Sequence, residues 1–375
     1  MINENKFIRL FECCIPVKGY RHSVIMDMQR KKVKFVPNDL INIIQQNEDK
    51  SIKEIIATLD ADDKETFLEY VDFLLEHELA FLLDIEEISF FPKMSKEWDC
   101  PNIITNAIVY LDQSPTFDLH DFVVQLDSLL CPHIYLIIPY DIPFAELRDM
   151  IDCISNSSIQ SIYVALNFNP TLIPDNIREL IKQFERIASI EIYDMRSNPY
   201  KNYVAPSIMT YSNRLQNMQD CGVIHTDYFS LNLQCYTESQ NHNTCLNRKL
   251  CIDADGNIKN CISMNRSFGN IKSTTLLEAI EKEGFKDLWF ITKYQIDVCK
   301  DCEFRYMCTD CRCFIKDPDN IYSQPAKCTY NPYIAKWAGE DGYVPVEECG
   351  SYNKETGFVP DIEKIAAINE KNNQQ

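Results

Sequence analysis

The chain has 375 residues, 45% of them hydrophobic, and its 37 basic and 56 acidic side chains leave a formal net charge of −19. That length suggests two or three domains with ordinary cores, and the acidic balance argues against general nucleic-acid binding, which needs a basic surface. No run of about eighteen apolar residues and no glycine-rich phosphate loop occurs, so neither a membrane span nor ATP or NAD binding is expected.

Residues 1–92 read as a small, winged-helix-like α+β unit. Residues 7–11 alternate in part, and 23–28 and 32–36 read as strands joined by a turn at 29–31. Pro37, Asn38 and Asp39 open a helix through about residue 46, because Pro suits the first turn and Asn or Asp can cap it. A second helix covers 51–59, with Ser51 as cap and Ile52, Ile55, Ile56 and Leu59 on one face. The third covers 62–78, where Phe67, Tyr70, Val71, Leu74 and Leu75 recur at helical spacing, and a short strand follows at 79–83. Residues 93–101 form a linker.

Beyond the linker the pattern changes. Apolar, β-branched runs at 103–111, 133–138, 161–167 and 189–195 alternate with helical segments at 118–130, 143–156 and 174–188. Such alternation implies βαβ units and a parallel sheet, either part of a (β/α) barrel or an open flavodoxin-like sheet. Residues 228–233 read as a further strand. Asp255 and Gly256 mark the turn of a hairpin, 250–254 against 257–262, and residues 274–283 and 285–291 read as helical. The end of the chain, 366–375, is polar and expected to fray.

Eleven of the seventeen cysteines lie between Cys221 and Cys328. One group is Cys245, Cys251 and Cys261, and a second is Cys299, Cys302, Cys308, Cys311 and Cys328, with Cys313 nearby. Two residues between Cys299 and Cys302 let both sulfurs reach one metal from a tight turn, and Cys308 and Cys328 can complete a four-thiolate set. Thiolates are soft donors that suit zinc or iron–sulfur clusters and not magnesium or calcium. Residues 1–10 hold no apolar signal run, so a cytoplasmic location is expected, where dense cysteine means metal or redox chemistry more often than disulfides. The six histidines show no metal spacing, and none is a ligand candidate.

Cys245, ten residues, Gly256, four residues and Cys261 resemble the opening of a SPASM domain. Cys299, Cys302 and Cys308 resemble its core, and Cys328 its closing ligand. SPASM domains are appended to radical-SAM peptide-modifying enzymes and hold two auxiliary 4Fe–4S clusters. The resemblance implies one cluster on Cys245, Cys251, Cys261 and a cysteine just after Cys308, and another on Cys299, Cys302, Cys308 and Cys328. The usual spacing puts the remaining ligand at position 312, which is Arg312; Cys311 is favoured, with Cys313 as the alternate. The run from Cys308 to Arg312 and the later run from Lys327 to Tyr333 resemble the peptide maturases of grasp-with-spasm systems. That subgroup implies two partners, a precursor peptide and an ATP-grasp ligase.

Residues 101–235 resemble a degenerate radical-SAM barrel by topology, residues 236–350 the SPASM domain, and 351–375 a tail. Radical chemistry needs three cysteines in one loop after the first barrel strand, here 112–117, and that loop has none. Independent cleavage of S-adenosylmethionine is therefore not expected. The N-terminal unit resembles the small recognition domain of ribosomal-peptide maturation proteins, which takes a leader peptide as an added strand. The implied contacts are the strand residues Lys32, Lys34 and Val36, with Lys34 offering its edge N–H, and Tyr70 and Leu74 on the third helix. Arg305 and Arg312 would offset cluster charge, and Phe304 and Tyr306 would shield it. Peptide maturation alongside a ligase is the reading that results. The alternatives are a redox enzyme with an atypical cluster and a zinc-stabilised adaptor.

Overall fold

Residues 2–196, 207–216 and 221–374 are described by a computed structural model. Their contacts gather into two units interleaved in sequence. The first comprises Met1–Trp98, Gly222–Thr244 and Ile291–Gln375, the second Asp99–Cys221 and Cys245–Phe290.

The first unit begins with β1 (Phe7–Leu10), β2 (Cys14–Lys18), β3 (Ser23–Asp27) and β4 (Lys32–Val36). Then come α1 (Asn38–Gln46), α2 (Ile52–Ile56), α3 (Ala61–Glu76) and β5 (Ala80–Leu83). Strand β1 pairs with β5, while β2, β3 and β4 form an antiparallel sheet in that order. Ser51 closes a capping box with Glu54 at the start of α2, which satisfies backbone donors the helix would otherwise strand. Pro37 is the N-cap of α1 and Asn38 its first residue. Val36, Leu40, Ile41, Ile52, Ile55, Phe67, Val71 and Leu74 fill one core, so the three helices and β4 share an apolar centre.

Strand β2 was not expected, and it carries Pro16, a residue that sheets admit chiefly at their edges. The register explains it. Met28 donates its N–H to Cys13, so residues 24, 26 and 28 of the β3 side face β2 while 23, 25 and 27 face β4. Pro16 lies opposite Ile25, so its missing N–H would point away from β3, which an edge strand tolerates. The same parity corrects the reading of β4. Lys32, Lys34 and Val36 lie opposite Asp27, Ile25 and Ser23, so they turn their N–H groups inward to β3. Val33 and Phe35 present theirs to the open edge.

The second unit is built on β6 (Asn106–Tyr110), α4 (Leu119–Ser128), β7 (His133–Ile138), α5 (Phe144–Ser155) and β8 (Ser161–Asn167). It continues with α6 (Pro174–Gln183), β9 (Ile187–Tyr193) and β10 (Ser207–Thr210). These strands lie in sequence order and all neighbours among them are parallel. Buried residues of α4, α5 and α6, such as Phe122, Ile151 and Ile177, pack against Val109, Leu136, Val164 and Ile190 in one core. Helices therefore cover one face while each connection steps to the next strand in the same direction. A flavodoxin-like sheet would reverse its order and place helices on both faces. The winding is that of a partial barrel, left open with β10 at one end of the sheet.

After α7 (Leu233–Asn241), which belongs to the first unit, β11 (Lys249–Ile252) and β12 (Ile258–Lys259) form the expected hairpin, with β11 parallel to β6. The strand expected at 228–233 is absent: a 3-10 turn at Thr226–Tyr228 leads to α7, which Asn232 caps by accepting from Cys235 N–H. Helix α8 (Leu276–Ile280) closes the second unit's core, and Asp287–Phe290 is a 3-10 turn. The C-terminal segment of the first unit adds β13 (Tyr330–Asn331), β14 (Lys336–Trp337), β15 (Gly350–Asn353), β16 (Gly357–Pro360) and α9 (Ile362–Asn373). The end of the chain is thus helical where fraying was expected. Asp361 caps α9, and buried Asn369 donates to Tyr333 O at 3.0 Å. Gln375 lies outside the described residues. Among the described residues, no helix is long and apolar enough to cross a membrane.

Candidate metal centre

The second cysteine group lies wholly within the first unit. Cys299 opens a 3-10 turn, and Cys302 N–H returns to Cys299 O at 3.1 Å, closing the turn that carries both cysteines. Val298, immediately before, is held at φ 67° while almost wholly buried. A β-branched residue there is strained, and such strain persists only where the surroundings impose it. Cys308 N–H bonds to Phe304 O at 3.0 Å, and Cys328 N–H to Pro325 O at 3.2 Å. Each of the four thiols feels the charge of at least one other. Burial pushes Cys299 and Cys308 up to about 11, against the opposing pull of Lys293. Burial and then Glu303 push Cys302 well above the ordinary thiol range.

Lys293 is the residue that sequence reading missed. It is 6% exposed, its Nζ lies 3.7 Å from Cys308 Sγ, and it pairs with Asp310 at 3.6 Å. Asp310 is already taken by Arg312, at 2.6 and 3.0 Å, and by Asn243 at 2.7 Å. Lys293 thereby opposes the rise that burial imposes on Cys299, Cys308 and Cys328. This donor set fits an iron–sulfur group: four soft ligands, two buried and two half-buried, a counter-charge, and Phe304 N–H directed at Cys302 Sγ at 3.4 Å. Arg312 is committed to Asp310 and to the carbonyls of Ile321 and Ser323, so it acts as a brace. Arg305 likewise donates to Lys18 O and Cys302 O, at 2.6 and 2.8 Å, and lies over the rings of Tyr294 and Tyr306. Phe304, Tyr306 and Tyr330 join Cys302, Cys308 and Cys328 in one apolar cluster.

Cys245, Cys251 and Cys261 belong to the second unit, whereas Cys311 and Cys313 belong to the first. Cys251 is fully buried on β11, between Leu250 and Ile252, which face the helices, so its side chain takes the opposite face of the sheet. Gly256, at φ 86°, makes the turn that returns the chain toward Cys261. Asp253 secures that turn by accepting from Asp255 and Asn257 N–H and pairing with Lys259 at 2.7 Å. Lys249, half-buried, places Nζ 3.4 Å from Cys245 Sγ. Burial works against its charge, but Cys245, Cys261 and Cys221 hold its pKa above the ordinary value. Cys261 is lowered to about 6, first by a hydrogen bond with Cys221 and then, after the opposing effect of burial, by Lys249. Neither Lys249 nor Cys221 was singled out from sequence; only the position of Lys249 between two ligand cysteines hinted at it.

The suggested peptide contacts divide. Lys32 is exposed and Lys34 and Tyr70 half-buried, while Val36 and Leu74 are core residues at 3% and 0% exposure. The latter two shape the ground beneath β4 and offer no surface to a peptide. Phe35, 57% exposed, stands on the opposite side of the strand, with ring contacts to His22 at 4.9 Å and Phe304 at 6.0 Å. His22 also brings Nε2 to 2.8 Å from the buried Glu303. Elsewhere, Cys13, Cys14 and Asp27 place ligand atoms within 4.8 Å of one another, but Asp27 is occupied by Arg30.

Residues 244–303 match the SPASM family, an iron-sulfur cluster-binding domain. No curated protein matches the chain. Among solved structures, Streptococcus suis SuiB is similar at 11% identity and a TM-score of 0.32, covering 84% of this chain and 96% of that one. SuiB bound to its precursor peptide SuiA gives 12% and 0.31, over 87% and 98%. Native anSMEcpe with bound AdoMet and a peptide gives 11% and 0.33, over 60% and 94%.

Proposed function

We propose that the chain is a maturation component for a ribosomally synthesised peptide, working with an ATP-grasp ligase. Residues 1–92 would hold the precursor along the open edge of β4. Residues 236–350 would carry two 4Fe–4S clusters, with Cys299, Cys302, Cys308 and Cys328 holding one of them. The observation that carries this reading is the buried Lys293, 3.7 Å from Cys308 Sγ and acting also on Cys299 and Cys328, within a region whose first part matches an iron-sulfur family. When bound, such a cluster supplies a one-electron couple or a rigid staple. The chain's own residues provide the rest. Lys293 balances charge, Phe304 N–H orients a sulfur, and the aromatic cluster excludes water. The thiolate loop also supports the β2–β3 turn, since Arg305 donates to Lys18 O and Tyr20 N–H donates to Asp301 O at 2.8 Å. A precursor held at β4 would therefore lie on the same unit as this thiolate set.

Anaerobically purified protein is expected to be brown and to hold about eight irons per chain, the content of two four-iron clusters. Cys302→Ala or Cys328→Ala should lose about half of that iron. Colourless protein with stoichiometric zinc would replace this reading with a zinc-stabilised adaptor.

A further inference from the structure

The face of the second unit's sheet that the helices leave bare carries a carboxylate among tyrosines. Alternate strand residues point to opposite faces, and Leu136, Val164, Ile190 and Ile208 lie on the helix side. Tyr135, Tyr163, Glu191 and Met209 therefore share the other face, with Tyr163 opposite Tyr135 and Met209 opposite Glu191. Glu191 is half-buried and accepts from the hydroxyls of Tyr135, at 3.2 Å, and Tyr193, at 3.1 Å, both on Oε2. Among the described residues nothing donates to Oε1 and no cation pairs with this carboxylate. Arg214 is turned instead to Asp141 and Asp194, at 3.2 Å each. Tyr193 stacks on Tyr211 with centroids 4.6 Å apart, and Tyr211 donates to Met209 Sδ at 3.6 Å. Tyr163 and Met209 stay 37% exposed, so the site is open to solvent.

We propose that Glu191 and the surrounding tyrosines bind a primary alkylammonium, the head of a lysine side chain or of a peptide's amino terminus. A half-buried carboxylate held only by neutral donors lacks a counter-charge, and tyrosine ring faces attract cations. The geometry selects among cations. A guanidinium docks best on two open oxygens, but Oε2 is already taken twice. Calcium or magnesium would need several more oxygen ligands than one carboxylate supplies. A compact ammonium can donate to Oε1 alone and rest against the rings. The approach is set as well. Asn167 exchanges two hydrogen bonds with Leu215, at 2.8 and 3.0 Å, and Tyr110 donates to Gln216 O at 2.9 Å. That segment crosses the C-terminal ends of β6 and β8, so a ligand enters from the side of Tyr163 and Met209. The proposal does not depend on the iron–sulfur reading and stands whichever way the iron measurement falls.

The test is calorimetric titration of the full chain with two probes: Nα-acetyl-lysine methylamide, which carries only the side-chain ammonium, and alanine methylamide, which carries only the α-ammonium. At least one should bind, and the tighter of the two identifies the source of the ammonium. The Nε-acetylated form of the first probe and the N-acetylated form of the second, both neutral, should not bind. Glu191→Gln, which keeps the shape, should weaken binding at least ~10-fold. Tyr163→Leu should weaken it roughly 3-fold while Tyr163→Phe leaves it unchanged. The comparison of charged and neutral probes needs no variant, so it holds even if Glu191→Gln fails to fold. Native protein that binds neither charged probe, or binds neutral and charged forms alike, would overturn the proposal. Folded Glu191→Gln binding as tightly as the native protein would do so too.

Discussion

Asp27 closes the β3–β4 hairpin by accepting from three donors: the N–H of Gln29 at 3.1 Å, the N–H of Arg30 at 2.9 Å, and the Arg30 guanidinium at 2.9 Å. Burial alone would raise its pKa, but the bonds from Arg30 and Gln29 outweigh it and hold the carboxyl below its ordinary value of 3.8. A group depressed in the folded state stabilises it above the unfolded value, and that contribution fades as pH falls through the folded one. Asp27→Asn should therefore cost about 1.5–3 kcal/mol at pH 7, the range for hydrogen bonds to a charged group. The difference in melting temperature between the two proteins should narrow steadily below about pH 4. A gap as wide at pH 3 as at pH 7 would mean that the carboxylate charge is not the source. Asp27 illustrates what sequence conveys at this scale. The turn at 29–31 was legible from residue types, but the three-way clasp was not, because it depends on where Arg30 folds back. Lys293 was hidden for the same reason: its place beside Cys308 is made by tertiary folding and leaves no periodic trace in the chain.

Strand β4 pairs with β3 on one side and, among the described residues, with nothing on the other, so it offers an edge to an added strand. The register decides which residues would serve it. Lys34 bonds inward, so Lys34→Pro would break the pairing with Ile25 and damage the sheet itself. Phe35→Pro removes an outward N–H and leaves the β3 ladder intact. In the full-length protein, Phe35→Pro should weaken binding of a synthetic leader, taken from the precursor encoded beside this chain, by at least ~10-fold. Phe35→Ala, which keeps the N–H, separates backbone from ring. Equal losses in the two variants, measured by fluorescence anisotropy, would assign recognition to the side chain and count against strand addition. The helices and most strands of this region were legible because core periodicity and caps agree, as at Ser51 and the Phe67–Leu74 face. Strand β2 was not, since a proline's tolerance depends on which neighbour its nitrogen faces. Helix α9 was overlooked because its polar composition masked the Asp361 cap and the inward Ile365 and Asn369.

At the scale of the molecule, the cysteine-rich region is divided between two units, and the second is built on a largely parallel sheet. Its alternating strands and helices were readable from the sequence, while the strand order that separates a barrel from a flavodoxin-like sheet, β10, and the parallel partnership of β11 with β6 were not, because distant pairing leaves no local signal. The resemblance of this region to a radical-SAM barrel would put a radical site on the loop after the first strand, where three cysteines would leave one iron open for the amino and carboxylate groups of the substrate. Here that loop follows β6 and runs from Asp112 to Phe117 without a thiol. Ser114 instead donates to Glu146 at 2.6 Å, and Tyr140 donates to the same carboxylate at 2.8 Å. Cysteines with three and then two residues between them occur nowhere in the chain. Under the proposed function Cys299, Cys302, Cys308 and Cys328 would close one cluster with four protein ligands and leave none of its irons open. Iron-loaded, dithionite-reduced protein should therefore produce no more 5′-deoxyadenosine from S-adenosylmethionine than protein stripped of its iron, with the nucleoside measured by liquid chromatography. Multiple turnovers above that control, lost again in Cys302→Ala or Cys261→Ala, would show that one group keeps an open iron, and the chain would then be a radical enzyme with a relocated site.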